Sequence, residues 1–419
     1  MSARASRDPA RGRSPAGLLP AERWSIRRAL RALGDPPFSL VVWTGEEFAP
    51  RGAPPEGRLR LLARPRLREL AAGPDSLLAN AYVEGRLEIE GDLPRLIEAA
   101  FRASDRSPRW VRRAAALAAL QPRRRTPAGA RRNAQRHYDV GNEFYRLWLD
   151  ERMVYTCAYF AQPWASLEEA QLAKLEHVCR KLRLERDERV VEAGSGWGAL
   201  ALHMAERHGV RVTAFNVSSE QTRHAREVAR ARGLAGRVDF VEDDWREIRG
   251  RYDAFVSIGM LEHVGRSRYS ELGRVIARAL APEGRGLLHF IGHQRPIPMN
   301  RWLERNIFPG AYIPALSEAL AVLESQRFAP VDVENLRRHY ARTLEHWLER
   351  FEKAAPQIRA LRGEAFERTW RLYLASSLAS FRTGWCQLYQ VLFARRDDER
   401  LPWTREWMAR RPGAAGAPD

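Results

Sequence analysis

The chain has 419 residues, enough to bury a large core and to form two domains. Its 70 Lys+Arg against 52 Asp+Glu give a net charge of +18, which predicts attraction to a polyanion, either nucleic acid or an anionic membrane face. Cysteines at only 157, 179 and 386 give no disulfide framework and no metal-ligand spacing, so a reducing compartment and no metal are expected, and no apolar run approaches the roughly 18 residues that span a bilayer.

Residues 1–35 read as a basic, disordered tail, because the first 20 are rich in Arg, Pro and Gly and lack the apolar stretch of a secretory signal. Residues 36–100 read as a small α+β domain. There Phe38 to Trp43 alternates like a strand, and Tyr82 to Asp92 reads as a turn and strand before a helix from Leu93 to Phe101. Residues 101–136 hold eleven Arg and one acid, Asp105, with Pro108, Pro122 and Pro127 as breakers. This is a solvated linker or a membrane-facing patch, and Val111 to Leu120 has the spacing of a short amphipathic helix. From 137 to 396, strand-like runs at 189–193, 211–215, 238–241, 253–258, 285–291 and 387–394 alternate with helix-like stretches, the pattern of a doubly wound α/β domain. Helices rich in Trp and Phe interrupt it at 300–380 and read as a cap over an apolar substrate site, and 397–419 read as a C-terminal tail.

The most informative stretch is Glu192-Ala193-Gly194-Ser195-Gly196-Trp197-Gly198. It follows the strand-like Arg189-Val190-Val191 and precedes a helix-like run from Ala199 to His208. Glycines let a backbone approach a ligand closely, and a helix N-terminus leaves N–H groups free to meet it. The spacing departs from the Gly-x-Gly-x-x-Gly of dinucleotide sites, and the next strand ends in Asn216-Val217-Ser218-Ser219-Glu220-Gln221 rather than in an acid. Asn216, Ser218 and Gln221 are neutral groups suited to ribose hydroxyls or an amino-acid tail, so S-adenosyl-L-methionine (SAM) fits.

Five further segments carry a resemblance. They are Tyr155-Thr156-Cys157-Ala158-Tyr159-Phe160, Gly259-Met260-Leu261-Glu262-His263-Val264-Gly265, Leu287-Leu288-His289-Phe290-Ile291-Gly292, Asn306-Ile307-Phe308-Pro309-Gly310 and Gln387-Leu388-Tyr389-Gln390-Val391-Leu392-Phe393. In order and spacing they resemble the cyclopropane-fatty-acyl-phospholipid synthase family, from about Ala134 to Arg396 and more weakly over 36–100. The resemblance implies an α/β fold of the class I SAM-dependent methyltransferase kind, a Rossmann-like doubly wound sheet with a helical cap insertion and a small N-terminal α+β domain. Gln387 to Arg395 would be its late antiparallel strand. It implies lipid or dimer contacts for the N-terminal domain, which leaves a homodimer open.

The resemblance places Gly194 and Gly196 against the amino-acid end of SAM, with Glu192 fixing the turn or meeting the amino group. Asn216, Val217, Ser218 and Gln221 match cofactor contacts, Asp244-Trp245-Arg246 supplies Trp245 to stack on adenine, and Tyr155 and Thr156 match a Tyr-Ser pair that closes over the cofactor. The family's base is a bound bicarbonate, whose pocket maps onto Cys157, Glu262, His289, the amide near Ile291, and Tyr340. Ser195 for a common Cys, Glu192 for Asp and Asn216 for Thr mark a divergent branch. The expected activity is methylene transfer to cis double bonds of unsaturated phospholipids at an anionic, cytoplasmic membrane face, without nucleic acid. The alternative is a relative that leaves a methyl- or methylene-branched chain.

Overall fold

The computed structural model describes residues 17–32, 34–50, 54–65, 69, 74–106, 140–297 and 299–409, in two compact units divided near residue 112. Most of the Arg-rich stretch 101–136, the first 16 residues and the end of the expected C-terminal tail lie outside the described residues.

The N-terminal unit holds a four-stranded sheet of β1 (Ser39–Val41), β2 (Glu47–Phe48), β3 (Arg58–Leu61) and β4 (Leu87–Glu90), in the order β2-β1-β3-β4. Strand β3 alternates strictly, with Leu59 and Leu61 buried and Arg58 and Arg60 exposed, as a one-sided sheet requires. The reading of residues 1–35 as a tail needs correcting, because Pro20–Ala32 is a helix. Its Ile26 and Leu30, one turn apart, pack with Leu18 onto Val42 and Phe48, and that apolar face outweighs the Arg-rich composition.

The C-terminal unit is built on seven strands. These are β5 (Arg189–Ala193), β6 (Arg211–Asn216), β7 (Val238–Glu242), β8 (Tyr252–Ile258), β9 (Leu280–Gly292), β10 (Phe328–Asn335) and β11 (Gln387–Arg395). Their order is β10-β11-β9-β8-β5-β6-β7, and β11 alone runs antiparallel to its neighbours. Adjacent residues serve opposite faces. Val190, Ala254, Val256 and Leu287 pack under the helices Leu167–Lys181, Ala199–His208 and Ser219–Ala231, whereas Val191, Phe255, Leu288 and Phe290 pack under Tyr269–Ala279 and Leu316–Glu324. The order reverses between β5 and β8, and a parallel sheet opens its ligand crevice at such a point.

The expected cap at 300–380 also needs correcting. Residues 328–335 form β10 at the sheet edge, a strand hidden from periodicity by Pro330, a register shift between Pro330 and Asp332, and burial of only two of its eight residues. The helices Arg301–Asn306, Arg337–Arg362 and Glu364–Thr383 make up the aromatic-rich remainder.

Candidate active site

The three glycines after β5 all have positive φ, 90° at Gly194, 53° at Gly196 and 86° at Gly198, but they do different work. A Cβ on Gly198 would stand 2.7 Å from the Phe240 ring and 2.8 Å from Ala225, so Gly198 allows helix and sheet to close. A Cβ on Gly194 would press on Met260 at 3.1 Å. A Cβ on Gly196 would meet nothing within 4 Å, so the backbone there is bare towards open space.

The loop is braced from below. The Asn216 amide donates to the Gly196 carbonyl and to Gln221 Oε1, both at 2.9 Å, and Gly194 and Ser195 donate to the Phe215 carbonyl at 2.9 and 3.0 Å. Ser218 caps the helix Ser219–Ala231, Val217 is half-buried beside it, and the buried Gln221 Nε2 has no partner. Glu192 receives the Ala201 amide at the start of the following helix, which has no side-chain cap of its own. Burial pushes its carboxyl up to about 8 against the opposing charge of Lys174. Beyond β7, Asp244 takes both the Nε and an NH2 of Arg246, whose guanidinium stands 5.6 Å from the Trp245 ring centre. Trp245 is buried in the apolar cluster that contains Ala193 and Phe215, at the ends of β5 and β6.

Three segments converge beside the loop. Met260 packs against Gly194, a Cβ on Gly259 would lie 3.2 Å from Thr156, and the Gly259 amide bonds the His289 carbonyl at 2.8 Å. Glu262 Oε1 accepts the Ile291 amide at 2.6 Å, while Oε2 is buried without a partner. Burial raises the Glu262 carboxyl to about 7. His289 Nδ1 accepts from the Gln390 amide at 3.0 Å on the neighbouring strand β11, so Nε2 carries the hydrogen of the neutral ring, and that atom too is buried without a partner. Burial, together with the charges of Lys174 and Lys181, holds His289 down to about 3, so it stays neutral at working pH.

Cys157 Sγ donates to the Ala158 carbonyl at 3.1 Å, and burial pushes the thiol far up, so it stays protonated. Ala158 N–H donates to Thr343 Oγ1 at 3.0 Å, and Thr343 lies one turn beyond Tyr340 on the same helix. Tyr340 packs on Phe381 and Trp347, with ring centres 4.5 and 5.9 Å apart. Lys174 and Glu334 act electrostatically on both Cys157 and His289. Tyr155 sits among Tyr145, Trp148 and Trp347, with ring centres 5.3 to 5.4 Å away, and its hydroxyl meets that of Tyr373 at 2.8 Å.

The sequence profile of the mycolic acid cyclopropane synthetase family matches residues 125–391. A Pseudomonas putida protein named "Probable fatty acid methyltransferase" is 37% identical over 393 residues, covering 89% of this chain and 96% of its own. The chain belongs to the mycolic acid cyclopropane synthetase family. The cyclopropane-fatty-acyl-phospholipid synthase of Escherichia coli K12 is 38% identical over 260 residues, 62% of this chain and 66% of that protein. A crystal structure of a mycolic acid cyclopropane synthase complexed with SAH and CTAB superposes with a TM-score of 0.61 at 29% identity, covering 63% of this chain and 98% of that one. The seven-stranded unit has the class I SAM-dependent methyltransferase fold of this family, and the chain is an enzyme of that class.

Sequence reasoning missed part of the site of this family member. Lys174 is buried under Thr156, its Nζ donating to Thr156 Oγ1 at 3.1 Å, and burial lowers it to about 8 despite Asp150, Cys157 and Glu192. Lys181 Nζ bonds Asp332 at 3.0 Å and Glu334 at 2.6 Å, and His177 meets Glu334 at 2.7 Å. Lys174, His177 and Lys181 share one face of the helix Leu167–Lys181, and His177 and Lys181 meet acids on β10, a strand without a periodic apolar signal. A signal was present: Lys174, Lys181 and Lys353 are the only lysines beside 67 arginines, so a Lys at a buried position is a choice. Gln390, inside the apolar run of β11, was a second.

Proposed function

We propose that the chain transfers a methylene unit from SAM to cis double bonds of unsaturated phospholipid acyl chains and closes cyclopropane rings, with bicarbonate as the base. The observation that carries this reading is the buried set around the β8–β9 edge, where Glu262 Oε2 and His289 Nε2 lack protein partners. His289 is a neutral donor, the Cys157 thiol keeps its proton, and Glu262 is poised near neutrality, with Lys174 as the nearby cation. A small oxyanion fits such neutral donors, with the charge of Lys174 opposing that of Glu334. SAM supplies a methyl group on a sulfonium, and bicarbonate supplies an acceptor for the proton that the new methyl group must lose. Gly194, Gly196 and Trp245 would hold SAM, while Cys157, Glu262, His289, Ile291 and Tyr340 would hold bicarbonate.

The acyl chain's double bond is a weak nucleophile and becomes positively charged when alkylated. Tyr145, Trp148, Tyr155, Trp347 and Tyr340 present aromatic faces and edges in a dry cluster, and each well-placed face stabilises a cation by about 0.5–2 kcal/mol. Holding the substrate in this apolar surround also keeps water from capturing the charge. The relative named a fatty acid methyltransferase favours a second reading, in which the product is methyl- or methylene-branched.

Among the described residues no helix is long and apolar enough to cross a membrane. Peripheral docking on an anionic, cytoplasmic face is supported by the +18 charge and by Trp164 and Trp403, which are 79% and 105% exposed. Lipids of a host expressing the chain test the reading. A gain of one CH2 with loss of the double bond supports ring closure, a gain with a branch supports the second reading, and unchanged lipids refute both.

A further inference from the structure

The helices Leu167–Lys181 and Ala199–His208 lie side by side on one face of the seven-stranded sheet. At their contact, Cys179, His203 and His208 bring a thiol and two imidazoles together, and their ligand atoms all lie within 4.8 Å of one another. Cys179 and His203 are buried and His208 is half-buried. Glu176, one turn before Cys179, places Oε2 against both rings, 3.1 Å from His203 Nε2 and 3.3 Å from His208 Nε2, and its Oε1 is buried without a partner. The active site uses none of these four residues.

We infer that Cys179, His203 and His208 form a structural site for a zinc-class divalent ion, with Glu176 as the carboxylate that orients the imidazoles and balances charge. Thiolate and imidazole together select zinc over the harder magnesium and calcium. His203 and His208 have the His-x4-His spacing common in zinc sites, here on one helix, with the thiol supplied by its neighbour. A carboxylate against a ligating imidazole is the usual companion of a histidine-held metal, because it fixes the tautomer and raises ring basicity. In a tetrahedral zinc site the ligand atoms stand about 3.3–3.8 Å apart, so side-chain movements of about 1 Å close this set. A cavity of about 610 Å³ reaches Glu176 and His203 and also touches Trp197, Arg152 and His224, which gives an ion a way in. The expectation of no metal arose from cysteine spacing alone, and Cys179 has histidine partners instead.

A metal here would clamp two helices that serve the active site. One begins at the glycine loop, and the other carries Lys174 and Gln171 beneath Thr156. The thiol gives up its proton on binding, so the thiolate and the Glu176 carboxylate together match a doubly charged cation.

The test uses the tag-free full chain, stripped with a chelator and reloaded with Zn2+ or Co2+. The proposal expects one zinc per chain after gel filtration and a rise in melting temperature with Zn2+. It also expects a tetrahedral Co2+ spectrum with a thiolate-to-cobalt band that competing Zn2+ removes. Cys179→Ser should abolish that band, and the more exposed His208→Asn, checked for native circular dichroism, should weaken Zn2+ affinity at least about tenfold. Substoichiometric zinc, a cobalt complex without the thiolate band, or affinity unchanged in a folded His208→Asn protein overturns the site.

Discussion

Replacing Glu262 with Gln should separate stability from turnover, because burial makes this carboxyl costly to ionise. Its folded value is about 7 against an ordinary 4.5. Below pH 4.5 both states are protonated and the difference contributes nothing. As pH rises from there the unfolded chain loses this proton first, so stability falls until about pH 7 and then stays low. At 1.4 kcal/mol per tenfold the full difference is about 3 kcal/mol, of which about 2 kcal/mol falls between pH 5 and pH 8. Gln cannot ionise, so its own costs, including an unpaired buried amide, are the same at both pH values and cancel in the comparison. Thermal unfolding of both proteins at pH 5 and pH 8 measures the difference. The variant should gain on the wild type by several degrees at pH 8 relative to pH 5. A pH-independent gap between the two would refute the claim that Glu262 sits dry and nearly neutral.

The same Glu262→Gln protein should still bind S-adenosylhomocysteine in calorimetry yet lose at least about 100-fold in turnover, and removal of dissolved CO2 should slow the wild type until bicarbonate is restored. Activity indifferent to bicarbonate removes the proposed base. Gly196→Val should abolish cofactor binding in a folded protein, whereas Gly198→Ala, whose Cβ would stand 2.7 Å from Phe240, should lower the melting temperature. If the two variants behave alike, the division of labour among the glycines is wrong. Co-sedimentation with phosphatidylglycerol vesicles should weaken as salt rises, with each well-placed Arg contributing about 1 kcal/mol at low salt, and should weaken further in Trp164→Ala. Equal binding to neutral vesicles at high salt would assign docking to apolar contact alone.

The strands β5, β6, β8 and β11 are legible because each carries a largely apolar run of Val, Leu, Ile, Phe and Ala, as both-side burial demands. The glycine loop was legible because positive φ leaves few alternatives to Gly. β10 was not, since an edge strand bearing Pro330, Asp332 and Glu334 has the composition of a loop. Its acids acquire meaning only opposite Lys181 and His177, residues about 150 positions earlier that no local pattern can pair. The helix Pro20–Ala32 was hidden by five charged residues around its two buried-face aliphatics. Residue type marks Asn216 and Gln221 as ligand groups, and the structure shows them also holding the loop beneath Gly196.

In the proposed reaction a double bond becomes a ring when a methyl group is moved onto it and then loses one of its protons. The direct measurement gives the purified full chain SAM carrying a trideuterated methyl group, bicarbonate, and vesicles of cis-unsaturated phosphatidylglycerol, and follows the acyl chains by mass spectrometry. The acyl chains should gain one carbon with two of the three deuteriums and no longer take up hydrogen under mild conditions. Retention of all three deuteriums in a branched chain, or no transfer to the acyl chains at all, would contradict it.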